Sequence, residues 1–417
     1  MFVGVTFVGS QIDCYINAIS LGPDGSAPST CKMGFHMFYT SIPELPVVMN
    51  MTQTLKLTSA AALLAAGIAA PAAAEFKWDN ASGGYVKIYG QFSPAFQSVD
   101  DGVTTTDNLV DNAHSNTRVG MWVRQPLQGG EFSFNFETAL GLRSSGGVSQ
   151  TSKPKGVDWD RTDLRKVDFA YKGDWGTVYL GQGSMATDGV ADKSLNNNAM
   201  TTYNGIGDFA GSFQFRTAGG ALSGVSISSV TPSLDGGRQG RVRYDSPSFN
   251  GFQVALSAGQ DILTPGSNDK YYDVALKYVR EFGGTKVAGG IGFSRRDRNG
   301  VDRDDTFGSL AVKLQNGLNF AFSAGSRKND GDYTYFLAGY EADWWQAGTT
   351  SIAVDFYNGN DFGLAGRKSK SIGVGLNQNI DSISTQVYLG YRTHELSDPG
   401  VSYQDVNAVL FGARWRF

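Results

Sequence analysis

Basic and acidic side chains occupy two different parts of this sequence. Five basic residues fall on the polar side of segments that alternate with a period of two: Lys87, Arg118, Arg124, Arg241 and Arg243. Three acidic residues fall in 183–237, a stretch rich in Gly, Ser, Thr, Asn and Ala: Asp188, Asp192 and Asp208. Opposed rows of charge across a narrow aqueous gap create a field that aligns polar solutes and disfavours apolar ones. These residues therefore predict the handling of small solutes rather than covalent chemistry.

Histidine and cysteine, which most often carry catalysis or bind metals, are scarce. Both cysteines, Cys14 and Cys31, lie in the first fifty residues. After residue 50 the sequence has only two histidines, His114 and His394. Neither histidine has a Ser or an acidic partner at a spacing typical of nucleophilic catalysis. We therefore expect no enzyme activity, no metal site and no cofactor. The net charge of −4, with both signs interspersed, likewise predicts no nucleic-acid binding.

The N-terminal part divides into two pieces. Residues 51–74 combine a weakly basic start, an Ala-rich apolar stretch and small residues that end at Ala74. This is the layout of a secretory signal peptide, for which the alternative is a buried Ala-rich helix. Residues 1–50 should not precede such a signal, so we expect either that translation starts at Met51 or that they form a disordered extension. The mature chain is then predicted to be 75–417.

After residue 75 the chain consists of short segments in which apolar and polar residues alternate. In 132–137, for example, three Phe alternate with Ser, Asn and Glu. Such alternation is the signature of β-strands with two different faces. Short connections with hairpin chemistry alternate with longer polar ones, among them 143–163, 183–237 and 296–304. We count sixteen strands, an even number that lets the first strand pair with the last.

Short turns at one end and long loops at the other are typical of an outer-membrane β-barrel. No stretch after residue 75 approaches the ~18 apolar residues that a spanning helix needs. An open sheet edge cannot face lipid, so the strands must close into a barrel. Their polar faces carry charged groups that need water, so the barrel should enclose a channel. The sequence therefore predicts an all-β, transmembrane antiparallel barrel with short periplasmic turns and long extracellular loops. A soluble β-sandwich or propeller would also give alternation, but it would not explain the signal peptide, the loop asymmetry and the terminal aromatic residue together.

Four stretches of the mature chain resemble the general porins of Gram-negative bacteria, which are trimeric barrels of sixteen strands. They are Asn-Thr-Arg-Val-Gly at 116–120, the run from Arg165 to Gly181, the run from Val242 to Phe252, and the ending Phe-Gly-Ala-Arg-Trp-Arg-Phe at 411–417. The resemblance covers residues 75–417. It implies a homotrimer that spans the outer membrane, contacts lipid and lipopolysaccharide, and presents its C-terminal Phe417 to the barrel-assembly machinery.

The resemblance also implies that the third extracellular loop, 183–237, folds into the barrel and narrows it at mid-height. Its acidic groups then face a basic cluster on the opposite wall. Arg118 and Arg165 match wall arginines of the family. The inward direction of Arg165 rests on the resemblance, because its parity is that of Phe169 and a β-bulge is needed to turn it inward. Where the family commonly has Arg after the fifth-strand Leu-Gly, this chain has Gln182.

The function expected from these features is passive diffusion of small hydrophilic solutes and ions through a water-filled channel. The alternative is a channel selective for one substrate class, such as sugars or anions. Part of the long stretch, 211–217 and 222–230, alternates well enough to form two more strands. If both joined the wall, the barrel would have eighteen strands and would resemble the sugar-selective channels more.

Overall fold

The chain forms two compact units, Met1–Leu55 and Lys56–Phe417. The computed structural model describes residues 2–8, 11–17, 76–298 and 300–417. In the first unit, β1 (Phe2–Val8) and β2 (Gln11–Asn17) form a two-stranded antiparallel sheet. The expected signal peptide, 51–74, lies outside the described residues. It therefore stays a prediction, as does the start of translation at Met51.

The second unit is built almost entirely from antiparallel strands. In chain order these are β3 (Phe76–Asp79), β4 (Tyr85–Phe92), β5 (Pro94–Asp100), β6 (Thr105–Asp111), β7 (Arg118–Leu127), β8 (Gly130–Ala139), β9 (Leu164–Gly173), β10 (Gly176–Ser184), β11 (Gln214–Arg216), β12 (Leu222–Ser226), β13 (Arg238–Asp245), β14 (Phe252–Gln260), β15 (Lys270–Phe282), β16 (Thr285–Arg298), β17 (Val301–Lys313), β18 (Leu318–Arg327), β19 (Asp332–Trp345), β20 (Gly348–Asn360), β21 (Lys368–Ile380), β22 (Thr385–Asp398), β23 (Val401–Ser402) and β24 (Val406–Arg416). All of them except β11 and β12 belong to one closed barrel.

The barrel wall has sixteen strands, fewer than the segments given above, because some wall strands are divided into two segments. β4 and β5 are separated only by Ser93, and β6 and β7 pair with β5 and β4 respectively. β11 and β12 pair with each other and stay out of the wall. The stretches 211–217 and 222–230 therefore do not raise the count to eighteen.

β3 and β24, from the two ends of the barrel sequence, together form one strand of the wall. β24 pairs with β5 and reaches β4 at its end, where Trp415 lies opposite Phe92. β3 continues along β4 from Phe76, which lies opposite Ile88. Between them, the Gly90 amide donates to the Phe417 carbonyl at 3.0 Å, and the Phe417 amide donates back at 3.1 Å. In the described part of the chain, the barrel sheet is closed and has no open edge, which confirms the predicted closure.

The wall has an apolar outer face and a polar inner face. In β21, the outward side chains of Ile372, Val374 and Leu376 are 37–43% exposed. The inward side chains of Ser371 and Asn377 are buried. The outward row is the face that lipid would cover, and the inward row is polar, as the alternation of the sequence predicts.

Of the three long connections named above, one differs from expectation. The expected loop 296–304 is wrong, because β16 and β17 extend through it and are joined by only two residues. Cross-strand charge pairs hold this extension together, for example Arg295 Nε with Asp304 Oδ1 at 2.6 Å. The helical segments are short: α1 (Gly207–Ala210), α2 (Ile227–Val230) and two 3₁₀ turns, Arg161–Asp163 and Asp381–Ile383. No helix in the described part of the chain has the length and apolar content to cross a membrane.

Candidate functional site: a charged passage beside the inner loop

The segment 185–237, called the inner loop below, follows the inner face of the barrel. Its side chains and backbone bond to inward-facing groups of β18, β19 and β21 and then to the segment between β6 and β7. These hydrogen bonds join Asn196 to Asn319, Asn197 to Glu341, Asn198 to Gly375 and Met200 to Asn112, at 2.7–3.1 Å. Phe213 and Phe215 are fully buried within the loop's return arm. The loop is thus fixed to the wall over a long path.

The return arm is held at two further points. Arg216 Nε lies 2.9 Å from Asp101 Oδ1, at the tip of the hairpin formed by β5 and β6. The hydroxyl of Tyr357, on β20, donates to the Pro232 carbonyl at 2.8 Å. The Asp101 side chain is fully buried under this contact. Both arms of the inner loop therefore lie against the wall instead of hanging free in the lumen.

Asp235 joins the two ends of the inner loop. Its Oδ2 accepts from the Gly189 amide at 2.7 Å, and its Oδ1 accepts from the amides of Val190 and Ala191 at 2.9 and 2.7 Å. Burial, together with the nearby charge of Asp192, raises the pKa of Asp235 to about 8. Hydrogen bonds from the amides of Ala191 and Gly189 act to lower the pKa and only partly offset the burial.

The three predicted acidic residues have different surroundings. Asp188 Oδ2 lies 3.9 Å from Nη2 of Arg238, which belongs to the wall strand β13. The Asp208 carboxylate accepts a hydrogen bond from the Tyr203 hydroxyl, and burial raises the pKa of Asp208 to about 6. Burial also raises the pKa of Asp192. Of the three, Asp188 is therefore the residue that meets a basic side chain of the wall.

Arg118 and Arg165 converge on one carboxylate. Arg165 Nε lies 2.6 Å from Glu137 Oε1, and Arg118 Nε lies 3.5 Å from Glu137 Oε2. The register between β8 and β9 shifts at this point, since Lys166 pairs with Glu137 whereas Leu164 pairs with the next residue of β8. Arg165 is the extra residue of this irregularity, and its side chain reaches the same inward carboxylate as Arg118.

Arg241 and Arg243 also lie on the inner face, but each is tied to its own carboxylate. Arg241 Nη1 and Nη2 both lie 2.9 Å from the oxygens of Asp168. Arg243 Nε and Nη2 both lie 2.7 Å from the oxygens of Asp245. Tyr179 lies beneath both guanidinium groups, at 5.6 and 5.2 Å. Bidentate ion pairs of this kind are strong and hold both side chains in a fixed orientation.

Lys87 and Arg124 lie further along the same face, towards the end with short turns. Lys87 pairs in register with Trp122, and Arg124 stacks on that ring at 5.1 Å. Arg124 Nη1 lies 3.5 Å from Glu131 Oε1, where both side chains are about 40% exposed. These two residues are therefore separate from the group around Glu137.

Two residues that were not selected from the sequence complete the group. Lys166 pairs in register with Glu137, and Arg238 begins β13 opposite Ser184. Arg118, Arg165, Lys166 and Arg238, called the basic cluster below, lie within electrostatic range of one another. The polar parity of β9 could have revealed Lys166, whereas Arg238 follows a non-periodic segment and carried no signal. Together with Glu137 and Asp188, the cluster places four cations against two carboxylates.

Several inward side chains of β7 and β9, among them Arg118, Trp122 and Lys166, remain partly exposed, whereas those of β20, β21 and β22 are buried beneath the inner loop. The space between the loop and the wall formed by β7–β10 and β13 is called the passage below. The basic side chains along it are only partly buried, so they can attract and orient charged solutes. In the described part of the chain, no three His, Cys, Asp or Glu side chains are placed to hold a metal ion.

Comparison with known proteins identifies relatives of this barrel. The model of a Gram-negative porin family matches residues 59–399. The anion-selective porin from Comamonas acidovorans is 16% identical, with a TM-score of 0.56 over 80% of this chain and 100% of that one. OprB of Pseudomonas putida is 10% identical, with a TM-score of 0.54 over 80% and 94%. OmpT of Vibrio cholerae, in its trimer form, is 14% identical, with a TM-score of 0.50 over 80% and 99%. No curated protein sequence matches significantly.

Proposed function

The chain belongs to the Gram-negative porin family and forms an outer-membrane channel, and we propose that it serves passive diffusion of small hydrophilic solutes and ions. The observation that carries this proposal is the passage, a polar space beside the basic cluster that the inner loop leaves uncovered. Its lining contains charges that require water. A channel of this kind does no covalent chemistry, so we expect no enzyme activity.

The inner loop is proposed to be the constriction of the channel. Its hydrogen bonds to β18, β19 and β21 and its contacts near β5 hold it against the inner face of the wall, where it takes up part of the lumen. A segment fixed at this many points sets an upper limit on solute size, because widening the passage would require breaking several contacts together. Lys87, Arg124, Arg241 and Arg243 then line the wall, and Asp188 faces the basic cluster from the loop.

The preference of the channel is proposed to be for anions. Among the described residues, the four cations of the basic cluster form ion pairs with two carboxylates, those of Glu137 and Asp188. Burial raises the pKa values of Asp192 and Asp208, so the loop loses negative charge more readily on acidification than free carboxylates would. Charges lining a narrow pore select by attraction of the opposite sign. Of the two selective alternatives, sugar or anion, this charge excess favours the anion.

Assembly as a homotrimer in contact with lipid and lipopolysaccharide is also proposed. The trimer form of the similar Vibrio cholerae protein supports it. Phe417 lies at the end of the closing wall strand, bonded to Gly90, and its ring lies 5.0 Å from that of Trp415. An aromatic terminus at this place suits recognition by the barrel-assembly machinery. Chemical cross-linking in intact outer membranes should give a species of three chains, and a ladder that ends at one chain would contradict the trimer.

Reconstitution tests the proposed function. The protein purified from outer membranes should give stepwise, ohmic currents in planar bilayers. It should also let small sugars swell liposomes at rates that fall with their size. Block of the current by one sugar at saturating concentration would favour a sugar-selective channel. A protein that inserts as a folded barrel and carries no current would contradict the proposal.

A further inference from the structure

A cavity of about 350 Å³ adjoins the basic cluster at the end of the barrel that carries the longer loops. Its lining combines both signs of charge with neutral polar groups. The charged residues of the lining include Arg165, Arg238, Asp163 and Asp261, and the neutral polar ones include Thr162 and Gln182. Arg165 and Arg238 come from the wall strands β9 and β13, whereas Asp163 and Asp261 come from the connections above β9 and β14. The cavity is therefore bipolar.

The basic side of this cavity has guanidinium N–H groups that are available to a ligand. Arg165 uses Nε for Glu137 at 2.6 Å and Nη1 for Asn116 at 3.3 Å, which leaves Nη2 for a ligand. Arg238 lies 3.9 Å from Asp188, beyond hydrogen-bond distance, and its buried Nε has no partner among the described residues. Guanidinium groups bind carboxylates through parallel N–H donors. This side therefore suits a carboxylate.

The acidic side is held in place by local backbone bonds. Asp163 Oδ2 accepts from the Asp160 amide at 3.0 Å, which leaves Oδ1 for a ligand. Asp261 Oδ1 accepts from the amides of Leu263 and Thr264 at 3.1 and 3.0 Å. Burial acts to raise the pKa of Asp261, but these hydrogen bonds outweigh it and lower the pKa. Asp261 is therefore ionised at neutral pH, and this side suits an ammonium group.

A buried amide acceptor belongs to the same cavity lining. Gln182 is 5% exposed, lines the cavity, and its Oε1 has no hydrogen-bond partner among the described residues. An unsatisfied buried acceptor is costly, on the order of 1–3 kcal/mol, so a ligand N–H that reaches it is favoured. A peptide N–H is a donor of this kind. A simple inorganic anion offers none.

We propose that this cavity is a binding site for a small zwitterion of the dipeptide class. The ligand's carboxylate lies against Arg165 and Arg238, its peptide N–H faces Gln182, and its ammonium group faces Asp163 and Asp261. The inference rests on the proposed function, because the solute reaches the cavity through the channel. Binding is weak, since a solute that passes through a channel must also leave it.

Three matched probes test the proposal in single-channel recordings of the whole protein. Glycylglycine is the zwitterion. N-acetylglycine keeps the carboxylate and the amide N–H but lacks the ammonium group, and glycinamide keeps the ammonium group and an amide N–H but lacks the carboxylate. Glycylglycine should reduce the current saturably, with a half-effect concentration at least about fivefold below that of either other probe, the loss expected when one charged contact is removed. Equal effects of glycylglycine and N-acetylglycine would show an anion site only and overturn the proposal. A protein without current would instead contradict the proposed function.

Substitutions assign the two sides of the cavity. Asp261→Asn and Asp163→Asn should each remove the advantage of glycylglycine over N-acetylglycine, while Arg165→Gln should weaken both probes. Asp158→Asn is the matched control, because this exposed carboxylate pairs with Lys155 and lies outside the cavity lining. Should Asp163→Asn fail to fold, Asp261→Asn decides alone. An unchanged advantage in Asp261→Asn, or its loss in Asp158→Asn, would overturn the assignment.

Discussion

The two halves of the barrel use inward-facing charge in opposite ways. Beneath the inner loop, Arg392 Nη2 lies 2.7 Å from Asp355 Oδ2, and both side chains are almost completely buried. Beside the passage, Arg165 and its three basic neighbours share few carboxylates and remain partly exposed. A buried charge must be paired, whereas a charge beside water can be left in excess. Inward parity therefore marks a lumenal residue only where no loop covers it.

The largest expected effect is a loss of stability caused by a substitution in the half of the barrel that the inner loop covers. Arg392→Gln leaves the Asp355 carboxylate buried without its cation, so the free energy of unfolding should fall by about 3–5 kcal/mol. Arg165→Gln, on the open half, should cost clearly less, since Arg118 Nε remains 3.5 Å from the same Glu137 carboxylate. Denaturant titration of the two variants in detergent measures both values. Equal losses would show that the two halves do not differ in this way.

A deletion in the inner loop tests its role between the halves. Removing part of 195–206 should raise the size limit of the channel, because this stretch carries the bonds to β18, β19 and β21. Liposome swelling with sugars of graded size measures the limit. Removing 153–157, an exposed part of the connection before β9, is the control and should leave the limit unchanged. A barrel that folds with the inner-loop deletion and keeps its size limit would contradict the constriction.

Single charge removals on the open half should shift ion preference moderately. Arg118→Gln and Arg165→Gln each remove a cation beside the passage, so zero-current potentials in a salt gradient should move towards cation preference. The shift should diminish at high salt, where charges are screened over about 3 Å. Lys155→Gln, at an exposed loop position, controls for charge outside the passage. A shift of equal size in Lys155→Gln would remove the basis for assigning selectivity to the cluster.

The smallest expected effect is a dependence on pH. The pKa of Asp208 is raised to about 6, so its carboxylate is charged above that pH and neutral below it. Acidification through this range removes negative charge from the loop, and anion preference should rise. Asp208→Asn should flatten the change. The free energy of unfolding should also rise as pH falls from about 6 towards 4, because the folded state then binds more protons than the unfolded one. A preference that falls on acidification would contradict this assignment.

The sequence predicts the wall well because strand periodicity is a local property. Alternation identified the outward and inward rows, and the even count allowed closure through Phe417 and Gly90. The approach of Arg165 to Glu137 required the resemblance, since periodicity alone places Arg165 with the outward residues. The shift of register between β8 and β9 accounts for this failure.

The site is less predictable because it depends on contacts between distant segments. Parity placed Arg241 and Arg243 on the inner face, yet it does not reveal that Asp168 and Asp245 pair with them. Partners across strands follow from register, which periodicity does not fix. The path of the inner loop, and with it the position of Arg238, follows no repeating pattern. Long-range packing alone determines which inward charges remain beside water.

The most direct test of the account is the sign of ion selectivity in the unmodified protein. Zero-current potential across a planar bilayer with a potassium chloride gradient reports which ion carries more current. The excess of positive charge in the basic cluster predicts a potential of the sign set by chloride, and a larger one at low salt concentration. A potential of the opposite sign, set by potassium, would contradict the claim that the uncovered cluster governs the passage.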